Sequence, residues 1–107
     1  MKGNVDSSEL RQLILNIVAS IPQGKVASYG QVARLCGYSS YARYVGTVLK
    51  SLPENTKLPW HRVINSRGEI AFPMGSEKHS KQSSLLSKEG INFENGKISM
   101  RIYGWSV

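Results

Sequence analysis

SYGQVARLCGYSSYARYVGTVLK, Ser28 to Lys50, decides the fold, because two stretches of helical apolar spacing flank Cys36-Gly37. Ser28-Tyr29-Gly30-Gln31 has the spacing of a capping box, a hydroxyl at the N-cap and an amide three residues on. The helix it opens runs through Val32, Ala33 and Leu35 to Cys36, and Gly37 stands where helices commonly end in a left-handed residue. A further helix is expected from Ser39 or Ser40 toward Leu52-Pro53. Tyr41, Val45, Val48 and Leu52 recur at three- and four-residue spacing and are expected to face the core, with Tyr44 and Leu49 alongside. Two helices joined by a short glycine-containing turn read as a helix-turn-helix, a pattern that any helical corner in a small protein shares.

The opposite face of the later helix separates those readings. It carries Ala42, Arg43, Gly46, Thr47 and Lys50. Solvated helix faces usually hold long polar residues, whereas small residues let a backbone approach another surface and cations beside them suit a phosphate-lined groove. A glycine inside a helix costs about 1 kcal/mol against alanine, so close approach is the better reason for Gly46. The whole chain points the same way. With 14 Lys+Arg against 7 Asp+Glu in 107 residues, its net charge is +7, which suits a polyanion such as nucleic acid, although a solvated basic surface gives the same count.

Working outward, Asp6-Ser7-Ser8-Glu9 reads as another capping box before Leu10, Leu13, Ile14, Ile17, Val18 and Ile21, and Pro22-Gln23-Gly24 ends that helix. Beyond Pro53 the chain is irregular, turns at Asn65-Ser66-Arg67-Gly68 and passes Ile70 to Gly75 as pocket-forming loop. A polar helix from about Ser76 to Glu89 is anchored by Leu85 and Leu86 and stopped by Gly90. Asn95-Gly96 between short alternating runs reads as a hairpin with a tight turn. The expectation is one domain over residues 1–107, mainly α with a small β hairpin.

Several function classes drop out. No apolar run approaches the ~18–20 residues that span a bilayer, and no signal sequence opens the chain, so a soluble, intracellular protein without membrane partners is expected. Cys36 is the only cysteine, and no Cys/His cluster has metal-ligand spacing, so neither disulfide nor metal is expected. No cofactor is expected either.

KLPWHRVINSRG, Lys57 to Gly68, then carries the argument to a family. Together with GKVASYGQVARLCGYSSYARYVGTVL (Gly24 to Leu49) and LLSKEG (Leu85 to Gly90), it resembles the DNA-binding, active-site domain of O6-alkylguanine-DNA alkyltransferases. The resemblance covers about Gly24 to Gly90. Those enzymes have Pro-Cys-His-Arg where this chain has Pro59-Trp60-His61-Arg62. Tryptophan there marks the alkyltransferase-like proteins, which bind alkylated guanine without repairing it and pass it to nucleotide excision repair. The YGW at Tyr103 to Trp105 is similar to the end of many such chains.

The resemblance implies a winged helix-turn-helix-like DNA-binding fold and a set of roles. Arg43 matches the finger that enters the base stack when a nucleotide is extruded, on a helix lying in the minor groove. Tyr29 matches the tyrosine that crowds the target phosphate and helps rotate the nucleotide outward. Arg34, Ala42, Gly46, Thr47 and Lys50 complete the DNA-binding set. Tyr29, Leu49, Pro59, Trp60 and Val63 line the lesion pocket, with the carbonyls of Trp60 and Val63 matching acceptors for the guanine amine. Ile70 to Gly75 correspond to its outer wall and depart from the enzymes at Phe72-Pro73-Met74.

His61 and Glu89 match the pair that generates the enzymes' thiolate, but an indole N–H offers no nucleophilic lone pair for them to activate. Leu52 stands where the enzymes' network has an asparagine. No catalytic residue is therefore expected; His61 and Glu89 would buttress the turn, and Trp60 would contact the guanine and its alkyl group. Implied partners are duplex DNA containing O6-alkylguanine and excision-repair proteins, with the chain a monomer, cytoplasmic in a bacterium or nuclear in a eukaryote. Two alternatives remain: a helix-turn-helix regulator of undamaged DNA with the hairpin as wing, and a true alkyltransferase using Cys36. The first would need longer base-reading side chains than Ala42, Gly46 and Thr47. Cys36, between Leu35 and Gly37, reads as a small buried apolar residue.

Overall fold

The computed structural model describes residues 7–107. Helix α1 spans Ser7–Ser20 and buries Leu10, Ile14 and Val18, a strict four-residue stripe. Leu13, expected in that stripe, is instead 40% exposed, because with Ile14 fully buried the core takes a narrower arc of the helix than the apolar letters suggest. Asp6, the expected cap, lies outside the described residues. After the turn that Lys25 N–H closes onto the Pro22 carbonyl, strand β1 (Ala27–Ser28) leads directly into α2 (Tyr29–Leu35).

Ser28 caps α2 as expected, its hydroxyl accepting from Gln31 N–H at 3.0 Å. The reciprocal half of the box is not made: the Gln31 side chain donates to the Trp105 carbonyl at 2.9 Å and ties the helix start to the C-terminal segment. Gly37, at φ 90°, closes the helix through Gly37 N–H to Arg34 O and Tyr38 N–H to Ala33 O, the paired bonds of a Schellman end. A single 3-10 turn, Ser39–Tyr41, precedes α3 (Ala42–Lys50). Val45, Val48 and Leu49 are buried in α3. Tyr41, expected in the core, is 40% exposed, since the 3-10 turn breaks the helical phase that would have pointed it inward.

Past a second 3-10 turn, Trp60–Arg62, strand β2 (Val63–Ile64) pairs in parallel with β1, Ala27 opposite Val63 and Ser28 opposite Ile64. This pairing is absent from the sequence reading, because each strand is only two residues long. It fixes the architecture all the same. Ala27 and Val63 face a core made by the first three helices, while Val26 and Ile64 face a second one with Ile70, Leu86, Ile91 and Ile98. The two-residue alternation of extended chain thus places one ladder between two cores.

The second core is closed by α4 (Glu77–Lys88), capped by the Ser76 hydroxyl, and by the hairpin of β3 (Phe93–Glu94) and β4 (Lys97–Ile98). Asn95 and Gly96 have φ of 55° and 77°, the paired left-handed residues of the expected tight turn. Gly68 docks that hairpin: it has φ 82°, its carbonyl accepts from Ile98 N–H at 2.8 Å, and an added Cβ would meet the Ile98 carbonyl oxygen at 2.4 Å. A short helix α5 (Met100–Tyr103), not expected from the sequence, brings Tyr103 and Trp105 to Val26 through Val26 N–H to Tyr103 O and Trp105 N–H to Val26 O. The fold is mainly helical with a small β hairpin, as read from the sequence, and the parallel β1–β2 ladder is added to it.

Candidate nucleic-acid interface

The exposed side of α3 is a cleft rather than a convex face. Tyr29, Ala42, Arg43, Gly46, Lys50 and Ala71 line a shallow, open hollow of about 360 Å³. On the other side of Arg43 a second hollow, about 300 Å³, is lined by Ser40, Tyr41, Tyr44 and Thr47 as well. Arg43 therefore stands on the rim between them. Its guanidinium has no ion pair or side-chain hydrogen bond to protein among the described residues, which leaves all its donors for a ligand. The Thr47 hydroxyl is already spent on the Arg43 carbonyl at 3.3 Å. Arg34 is exposed in the last turn of α2 and lines neither hollow.

Tyr29 begins α2 beneath this cleft, and burial pushes its phenol above the ordinary value of 10.0. The hydroxyl is thus protonated at neutral pH, able to donate to an anionic oxygen. Its ring lies along Gly46: a Cβ at that glycine would come 3.7 Å from the Tyr29 ring, ordinary contact without a clash. Gly46 is accordingly not required by the fold. Gly46→Ala is expected to fold, melt no lower and gain up to about 1 kcal/mol from helix propensity, while its affinity for duplex DNA falls several-fold. Unchanged DNA affinity in titrations would remove close backbone approach as the reason for this glycine.

The Trp60 turn sits between α3 and α4. Trp60 is 8% exposed and belongs to the helical core. Phe72 meets its ring edge-on at 6.3 Å, and the Lys78 ammonium lies 4.8 Å from its centroid. The indole is therefore covered, not bare. Pro59 is half-buried before it, Leu49 is buried in α3 and Val63 is buried in β2. None of these four lines the α3 cleft in this state; Ala71, next to Phe72, is the residue of the loop that does. The Trp60 carbonyl accepts from Val63 N–H, and the Val63 carbonyl accepts from Gln82 Nε2 at 2.9 Å. Each carbonyl keeps a second lone pair.

His61 and Glu89 do meet: Nε2 lies 2.6 Å from Glu89 Oε2. A third partner, missed in the sequence, joins them. Arg62 donates from Nε to both carboxylate oxygens at 3.0 Å and from Nη2 at 2.8 Å, while its Nη1 donates to the Ile21 carbonyl at 2.7 Å. Gly24 N–H adds a bond of 2.9 Å to Oε1. Burial works against the charged Glu89, but the bonds from Arg62, Gly24 and His61 outweigh it and bring the carboxyl down to about 2. A carboxylate only accepts, so His61 Nε2 carries the proton between them. The network ties the end of α1, the Trp60 turn and the end of α4 together.

Gln82, in a helix that reads as solvated, is 1% exposed and also holds the turn, donating to His61 O and Val63 O. No periodicity marks it. Leu52 is half-buried against the helical core. Cys36 packs on the same core, and burial raises its thiol above the ordinary value of 9.0, which disfavours the thiolate a nucleophile needs. Among the described residues no group of His, Cys, Asp and Glu could hold a metal ion.

A helical corner with a small, cationic exposed face, and a Pro-Trp-His-Arg turn braced behind it by a glutamate, define a DNA-binding module built on an alkyltransferase plan. The chain belongs to the family described as 6-O-methylguanine DNA methyltransferase, DNA binding domain, which matches residues 9–91. Within it the chain falls with the alkyltransferase-like proteins. It is 46% identical over 93 residues to the DNA base-flipping protein of Vibrio parahaemolyticus, covering 86% of this chain and 91% of that one. It is 46% identical over 97 residues to alkyltransferase-like protein 1 of Schizosaccharomyces pombe, covering 86% and 90%. The crystal structure of that yeast protein, Atl1, with damaged DNA containing O6-carboxymethylguanine superposes with a TM-score of 0.89 at 37% identity, over 96% of this chain and 100% of the other.

Proposed function

We propose that this protein is a non-enzymatic sensor of O6-alkylguanine in duplex DNA, which rotates the damaged nucleotide out through the minor groove and hands the site to nucleotide excision repair. The observation that carries the reading is Trp60 in the acceptor position, with His61 and Glu89 kept as a pair but the carboxylate also locked by Arg62 and Gly24. A base and its carboxylate are present, and there is no nucleophile beside them in the sequence. The relatives named for base flipping, and the yeast relative crystallised on damaged DNA, support the nucleic-acid partner.

In this reading α3 enters the minor groove and the Tyr29 phenol crowds the target phosphate. Arg43 enters the stack, offsetting the few kcal/mol of pairing and stacking that extrusion costs. The extruded guanine displaces Phe72 and Lys78 from the indole and settles on Trp60, its amine facing the free lone pairs of the Trp60 and Val63 carbonyls. Arg34, Ala42, Gly46, Thr47 and Lys50 border the duplex.

A titration of duplexes with and without O6-methylguanine, labelled on the methyl group, tests the whole. Tight lesion-selective binding without label on the protein is expected; label on Cys36 would make it an enzyme, and preference for an undamaged sequence would make it a regulator. Arg43→Ala is expected to bind the lesion duplex about tenfold more weakly. With 2-aminopurine beside the lesion, it should also raise fluorescence less than wild type does. Equal fluorescence gains would remove Arg43 from extrusion.

A further inference from the structure

Helix α4 buries two side chains four residues apart, Gln82 and Leu86, and only one of them is apolar. The core stripe of a helix ordinarily takes a leucine or methionine at such a position. Gln82, 1% exposed, instead donates from its side-chain amide to two backbone carbonyls of the Trp60 turn, at 3.0 Å to His61 O and 2.9 Å to Val63 O. Two acceptors facing Nε2 fix which way round the amide lies. Its Oε1 is left buried, without a hydrogen-bond partner among the described residues. An orphaned acceptor destabilises a fold, so packing alone does not explain the glutamine; what it provides that an apolar residue does not is the two donors.

We propose that Gln82 is a positioning residue for lesion recognition, holding the Val63 carbonyl so that its remaining lone pair meets the 2-amino group of the extruded purine. This rests on the reading above, in which the guanine amine faces the Trp60 and Val63 carbonyls. A carbonyl oxygen accepts along two lone-pair directions near the plane of its bonds. With a buried donor fixed on one, the other is set in direction, and the amine meets an acceptor oriented in advance. The bond to His61 O grips the same turn at a second point. Gln82 is buried and reaches no DNA itself; it acts through Val63. A purine that keeps the O6-alkyl group and lacks the amine gains nothing from the arrangement.

The test is a cycle of two proteins and two lesions: wild type and Gln82→Met, each titrated with O6-methylguanine and with O6-methylhypoxanthine, the same base without its 2-amino group, in one duplex sequence. Removing the amine also changes how the lesion pairs with its opposite base, but both proteins meet the same duplexes, so that effect cancels. Any unfolded fraction cancels too, because it scales both apparent affinities of one preparation equally. The preference of wild type for O6-methylguanine over O6-methylhypoxanthine is expected to fall about fivefold in Gln82→Met, the size of one neutral hydrogen bond. Affinity for undamaged duplex, set by phosphates, should not change. A role in the fold alone would weaken both lesions by one factor and leave the preference as it was. Nitrogen-15 spectra of wild type need no variant: the Gln82 side-chain amide signals should shift with the O6-methylguanine duplex and shift less with the O6-methylhypoxanthine one. An equal preference in Gln82→Met, or amide signals that move alike with both lesions, overturns the inference while leaving lesion binding intact. O6-methylguanine bound by wild type no better than undamaged guanine would sink the lesion reading and this one together.

Discussion

Glu89→Gln is expected to lose about 3 kcal/mol of folding stability at pH 7 and almost none at pH 2. The carboxyl, 10% exposed, is held at about 2 against an ordinary 4.5, because donors from Arg62, Gly24 and His61 outweigh the burial that opposes its charge. The native state therefore binds fewer protons here than the unfolded chain, and the contribution is complete above about pH 4.5. It is lost as pH falls toward 2, and a carboxyl displaced from 4.5 to about 2 corresponds to about 3 kcal/mol. Glutamine keeps an acceptor for Gly24 N–H but leaves the Arg62 guanidinium half-buried without its counter-charge. Denaturant midpoints for both proteins from pH 2 to 7 measure this directly. A stability gap as wide at pH 3 as at pH 7 would mean that shape, not charge, is what Glu89 contributes.

That network also marks where sequence reading reaches its limit. His61 and Glu89 were legible as a pair through the family's motif, yet Arg62, which makes three of the bonds to the carboxylate, lies beside His61 without any periodicity to mark it. Helices α1 to α4, unlike the four-residue α5, were legible because their apolar spacing and caps are local: Ser28, Gly37, Ser76 and Gly90 stand at helix ends as their types require. The β1–β2 ladder was not, since it joins residues 36 apart through strands too short to alternate visibly. Tyr41 was misplaced for a related reason. Helical phase was extended backward through Ser39–Tyr41, where the chain is actually 3-10.

The cover over Trp60 was the least legible feature of the site. From the sequence the indole reads as a contact for the guanine and its alkyl group, while the structure sets Phe72 and Lys78 upon it, residues 12 and 18 positions away and in a loop and helix whose sequences carry no ring-binding pattern. Two consequences follow. A lesion gains only the difference between its own contacts with the indole and those it displaces. And in the proposed reading Trp60, buried in the helical core, also forms the pocket, so a substitution there would act on both.

Trp60→Ala is therefore expected to lower stability by about 3–5 kcal/mol, as truncation of a buried tryptophan does, and to abolish lesion selectivity. Stability alone decides nothing, because a core residue and a pocket floor both predict the early melt. Affinity separates them. Undamaged DNA is held mostly through phosphates, which Trp60 does not reach, so below the melting temperature the variant should bind it as wild type does. Affinity for O6-methylguanine should fall toward that value, the ratio of damaged to undamaged collapsing to about one. Trp60→Phe provides the control that stays folded: it keeps a flat apolar face of smaller area, loses less stability and should retain part of the selectivity. Binding is measured on both variants at a temperature where circular dichroism shows each fully folded. If folded Trp60→Ala still prefers O6-methylguanine as strongly as wild type, the indole is core alone, and lesion recognition lies in the α3 cleft among Tyr29, Arg43, Lys50 and Ala71.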